Sequence, residues 1–122
     1  EDFGVGQVIE DAFEYFDFVS PMLYPSHFPR TFLGEEKNPA EYPYEVVRQS
    51  MDIALVRLEN SGNSSSSLRP WLQDFDLGAD YDVEKVKAQI QAVIDSFGGE
   101  DNEDYRGFML WSPANIYTEE AL

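Results

Sequence analysis

The chain has no cysteine among its 122 residues and a single histidine. Without thiols there are no disulfides and no thiolate zinc site, and His27 alone cannot hold zinc without further nitrogen or sulfur ligands. Positive charge is also scarce. Eight Lys and Arg stand against 24 Asp and Glu, for a formal net charge of −16 at pH 7. A surface this acidic repels phosphate backbones and anionic lipid, which argues against nucleic-acid and membrane-surface partners. No apolar run approaches the roughly 20 residues of a membrane span. No glycine-rich turn follows a candidate strand, which weakens any nucleotide-binding reading. Neither a metal nor an organic cofactor is implied.

Aromatic and apolar residues are plentiful, at 15% and 43%, so the composition is that of a packed domain. The length suits one domain, residues 1–122, but falls well short of the about 250 residues of a closed (β/α)₈ barrel. The chain does not begin with Met and opens inside an amphipathic pattern, so the expectation is a partial domain with a further part upstream.

Val5, Val8, Ile9, Ala12, Phe13 and Phe16 form one helical face. Asp17 to Tyr24 then reads as a strand in which Pro21 is awkward. Pro25 to Pro43 is a long proline-punctuated loop whose aromatic residues argue for order. Tyr44, Val47, Met51, Ala54, Leu55 and Leu58 mark a second helix, with Pro43 near its first turn. Asn60 to Ser67 reads as a polar connection, and Leu68 to Phe75 as a second strand. Asp82 is placed to cap a third helix, with a face of Val83, Val86, Ile90, Val93, Ile94 and Phe97, ended by Gly98-Gly99. Arg106 to Trp111 is a third strand, and Thr118 is placed to cap a short last helix. Alternation of this kind implies parallel β/α units.

In β/α folds the site lies at the C-terminal ends of the strands. Those ends are polar and aromatic here, whereas the strand starts are plain. The first ends in Tyr24, Ser26 and His27, the second in Gln73, Asp74 and Asp76, the third in Trp111, Ser112 and Asn115 with Tyr117 behind. Saccharide sites use aromatic faces to stack on sugar rings and carboxylates for acid and base work. Tyr24 and Trp111 are the candidate stacking residues, and His27, Gln73 and Asn115 the candidate hydroxyl binders. Asp74 is the candidate catalytic acid. Neighbours on a strand face opposite ways, so Asp74 faces the helices if Trp71 and Gln73 face the barrel, unless the strand has ended. Asp76, just before Leu77-Gly78, reads as a turn former. Trp71 and Met109 read as barrel core, and the run Glu100 to Asp104 as solvated surface.

Asp17 to Phe28 (DFVSPMLYPSHF), Asn38 to Val47 (NPAEYPYEVV), Leu68 to Phe75 (LRPWLQDF) and Gly107 to Leu122 (GFMLWSPANIYTEEAL) together resemble the C-terminal half of the bacterial "putative glycosyl hydrolase domain" family. The resemblance covers nearly the whole chain. It implies strands six, seven and eight of a TIM barrel, with strands one to five and an acidic strand-four motif upstream. It places Tyr24, Pro25, Ser26 and His27 at strand six, Trp71, Leu72 and Gln73 at strand seven, and Trp111 and Asn115 at strand eight. A looser similarity links Met22-Leu23-Tyr24 and Trp111 to chitinase-like barrels, although Pro25 stands where those enzymes carry Asp.

The expectation is therefore an α/β chain of three parallel β/α units, part of a glycoside hydrolase acting on polysaccharide and supplying one wall of its cleft. The isolated chain would be inactive. The alternative is a non-catalytic carbohydrate-binding or scaffold barrel. The implied partners are carbohydrate and either the missing N-terminal barrel half or a second copy of the chain. The localisation is left open, with the outside or the cell envelope of a bacterium as one candidate setting.

Overall fold

A computed structural model describes residues 8–34, 36–63 and 65–122. Val5 of the first helical face and Ser64 of the polar connection lie outside them. The elements are α1 (Ile9–Tyr15), β1 (Phe18–Val19), α2 (Pro43–Ser61), β2 (Ser67–Leu68), β3 (Trp71–Gln73), α3 (Val83–Ser96) and β4 (Met109–Trp111). Short 3₁₀ turns lie at Pro25–His27, Pro39–Glu41 and Glu119–Ala121. The fold is mixed α/β, and among the described residues every strand pairing is parallel.

β1 pairs with β2 through Phe18↔Ser67 and Val19↔Leu68. β3 pairs with β4 from Trp71↔Met109 to Gln73↔Trp111. One bridge, Met22↔Trp71, joins the two pairs and keeps the spacing of the β1–β2 register. Continued through the gap, that register sets Pro21 beside Pro70. Proline has no N–H, so each interrupts the ladder as a donor. Each still accepts, Pro21 from the Trp71 amide and Pro70 from the Met109 amide, both at 2.9 Å. The strands expected over Asp17–Tyr24 and Leu68–Phe75 are therefore each split at a proline. The strand expected from Arg106 is shortened to Met109–Trp111.

α2 starts with Pro43 at its first position, where the missing N–H costs nothing. It runs on through Asn60 and Ser61, which composition assigned to the connection. Gly62 then takes the left-handed conformation, φ 75°, that a side chain would resist. Asp82 caps α3, its carboxylate accepting from the Lys85 amide at 3.0 Å. Thr118 occupies the corresponding position before the last 3₁₀ turn, but its side chain makes no cap bond there.

Side chains alternate across a strand. Val19, Leu68, Leu72 and Leu110 pack toward the helices, with Phe13, Val47, Met51, Val86 and Val93. Each such side chain contributes about 1.5–3 kcal/mol by leaving water. Arg57 grips Glu10 with two hydrogen bonds of 2.7 and 2.6 Å, joining α1 to α2. The Tyr44 hydroxyl donates to Asp95 at 2.7 Å, joining α2 to α3.

The opposite face carries Phe18, Met22, Trp71, Met109 and Trp111, and no helix among the described residues covers it. Met22 is 69% exposed, Phe18 45% and Trp111 44%. The Arg69 guanidinium lies 4.3 Å from the Phe18 ring centre. The described part of the Pro25–Pro43 loop packs elsewhere. Asn38 donates to the Gly78 carbonyl at 2.9 Å, the Tyr81 hydroxyl to the Ala40 carbonyl at 2.8 Å, and Gln49 to the Phe32 carbonyl at 3.3 Å. The loop thus rests on α2 and the 75–81 segment and leaves the sheet face open.

Candidate functional site

The Pro25–His27 turn follows directly on Tyr24, because Pro25 ends the extended run and presets the tight turn. The His27 amide donates back to the Tyr24 carbonyl at 2.9 Å. The Tyr24 ring meets His27 edge-on at 5.5 Å and Phe75 at 5.6 Å. His27 itself is exposed, whereas Tyr24 is buried to 7% exposure. That burial pushes the Tyr24 hydroxyl pKa up, and the nearby Tyr117 phenol pushes it the same way.

Gln73 ends the middle strand and is wholly buried. Its side-chain oxygen accepts from the Ser26 amide at 3.1 Å, and its amide donates to Ser26 Oγ at 2.7 Å and to the Phe75 carbonyl at 3.0 Å. Ser26 Oγ in turn donates to the Leu77 carbonyl at 2.5 Å. Gln73 therefore ties the His27-bearing turn to the loop after β3. Its own backbone is held by Gln89 of α3, which accepts from the Gln73 N–H at 2.9 Å and donates to the Gln73 carbonyl at 2.8 Å. Sequence reasoning missed Gln89. The available signal was a polar residue within the apolar face of Val86, Ile90 and Val93.

Trp111 stands opposite Gln73 in register. Its ring meets Trp71 edge-on, with centres 6.4 Å apart and planes at 85°. Asn115 is exposed and left-handed, φ 58°, a conformation that Asn tolerates better than most residues. Strand pairing and the Ser26–Gln73 bonds thus bring Tyr24, His27, Gln73 and Trp111 to the same end of the sheet.

The two acids at this end are engaged within the chain. Asp74 alternates away from Gln73 and is 5% exposed. One of its oxygens accepts from the Thr118 amide at 2.6 Å, the other from Thr118 Oγ1 at 2.7 Å. Asp76 accepts from the Tyr81 amide at 2.7 Å and closes the turn between them. An apolar cavity of about 460 Å³ lies beside the first strand, lined in part by Ile9, Met22, Leu23, His27, Phe28 and Ile53. Among the described residues no three His, Cys, Asp or Glu side chains gather as metal ligands. No helix among them is long and apolar enough to cross a membrane.

Short parallel strands backed by helices, with an aromatic and polar cluster at their C-terminal ends, define a mixed α/β chain. The chain belongs to the family described as "Putative glycosyl hydrolase domain", whose sequence profile matches residues 1–117. No curated protein and no solved structure matches it.

Proposed function

We propose that the chain supplies the last three β/α units of a glycoside hydrolase barrel and forms one wall of its saccharide cleft. The observation that carries this reading is the convergence of aromatic and polar groups at the C-terminal strand ends, beside a sheet face left open. Trp111, His27 and Asn115 are the exposed groups and take the sugar, Trp111 by stacking and the other two by hydrogen bonds. Tyr24 and Gln73 are buried and build the surface beneath His27. The remaining strands of the barrel cover Met22, Trp71 and Met109 and bring the carboxylates that hydrolysis needs.

The engagement of Asp74 and Asp76 within the chain favours a second reading, a barrel that binds saccharide without turnover. One experiment bears on both. The intact protein containing this chain is titrated with cellohexaose, xylohexaose and mannohexaose, and the mixtures are then assayed for shortened products. Binding that falls in Trp111→Ala supports the cleft wall, and shortened products decide for the hydrolase. No binding of any hexasaccharide, or binding indifferent to Trp111→Ala, counts against both.

A further inference from the structure

Asp74 engages the chain at two points. Its amide donates to the Trp111 carbonyl at 2.9 Å, and its carboxylate accepts twice from Thr118. One residue therefore pinches together both ends of the excursion 112–117. Within that excursion Pro113, Ala114, Asn115, Ile116 and Tyr117 are all exposed. Its internal bond runs from the Asn115 amide to the Ser112 carbonyl at 3.0 Å. Apart from this pinch, the hydrogen bond that leaves the segment is a local one, from the Glu119 amide to the Tyr117 carbonyl at 3.1 Å. Beyond it, Ala121 is buried against the core.

We propose that Asp74 is a positioning residue: its carboxylate clasps Thr118 and so holds the 112–117 segment at the rim, presenting Trp111, Asn115 and Tyr117 to the saccharide. The role assigned to those side chains rests on the function proposed above. A catalytic acid must reach the atom it protonates. Asp74 lies on the helix-facing side of its strand with both oxygens already accepting. Bonds to an ionised carboxylate are stronger than neutral ones, and two from one residue fix both the place and the orientation of Thr118.

The test uses the intact protein with Asp74→Asn, Thr118→Val and the double variant. Amide exchange at residues 115–118 reads the clasp directly. Acrylamide quenching of Trp111 reads its setting, in a Trp71→Phe background that leaves Trp111 as the one tryptophan of this chain. Asp74→Asn and Thr118→Val should each speed exchange by about tenfold and raise quenching, as loss of an anchoring bond predicts. Hexasaccharide binding should weaken by a similar factor, with the double variant no worse than the worse single one and the pH profile of any turnover retained. The clasp is refuted if exchange and quenching are unchanged in both single variants. It is also refuted if Asp74→Asn abolishes turnover and one limb of the pH profile while Thr118→Val leaves both intact, which would mark Asp74 as the acid. If the unsubstituted protein binds no hexasaccharide, the functional reading fails, and exchange and quenching still decide the clasp.

Discussion

Gln89 serves Gln73 as a substitute strand. Trp71, two residues earlier, exchanges backbone hydrogen bonds with the first strand, accepting from Leu23 and donating to Pro21. At Gln73 that strand has turned away into Pro25–His27, and the carboxamide of Gln89 receives the N–H and supplies the donor that the missing peptide would have offered.

Replacing Gln89 by Leu should therefore cost more than its volume suggests. Two buried backbone groups would lose their partners, each at about 1–3 kcal/mol. Urea denaturation of the variant should show a loss near the sum, about 2–6 kcal/mol. A loss under about 0.5 kcal/mol would mean that water or a shifted strand satisfies Gln73 instead.

Acid should weaken the α1–α2 contact. The Arg57 hydrogen bonds hold the Glu10 pKa below its ordinary value of 4.5. A carboxyl whose pKa is lower in the folded state adds stability that is complete above its unfolded value and is lost as pH falls through the folded one. Arg57→Gln should flatten that part of the stability-versus-pH curve and leave the slope near neutrality alone. An unchanged acid limb would show that the pair contributes nothing in solution.

The open sheet face should make the isolated chain associate. Met22, Phe18 and Trp111 are wet, and the outer strands carry unpaired backbone edges. The net charge of −16 opposes association, and salt screens it beyond about 8–10 Å near physiological strength. Light scattering should thus show dimers that increase with both concentration and salt, and that Met22→Lys suppresses. A strict monomer at high salt and high concentration would contradict this.

The 122-residue chain alone should hydrolyse no polysaccharide, since Asp74 is buried with both oxygens accepting, which leaves Asp76 without a partner acid beside it, and hydrolysis uses a pair of carboxylates. Reducing-end assays on soluble glucan and xylan would test it. Turnover that disappears in Asp74→Asn would reverse both this expectation and the role given to Asp74.

The order of elements was legible because Val86, Ile90 and Val93 repeat at helical spacing and the strand blocks are apolar. The gathering of Tyr24, His27, Gln73 and Trp111 was also legible, since parallel units put successive strand ends on one edge. The engagement of Asp74 was not. Alternation hinted that it faces away from Gln73, but Thr118 lies 44 residues on, and nothing local announces that its hydroxyl serves Asp74 instead of capping its own turn. Strand length was misread for a related reason. Pro21 and Pro70 each look like a local flaw, and only the register shows that they fall side by side.

That paired break falls between two parts of the sheet. On one side lie Phe18, Val19, Ser67 and Leu68. On the other lie Met22, Trp71 to Gln73 and the whole of β4. The break removes one donor from the ladder between the first and middle strands, at Pro21, while the Arg69 amide still donates to Val19 and the Trp71 amide to Pro21. Amide exchange should then be faster beside the break than at the start of the sheet, where Val19 and Leu68 keep the strands fastened to the helices.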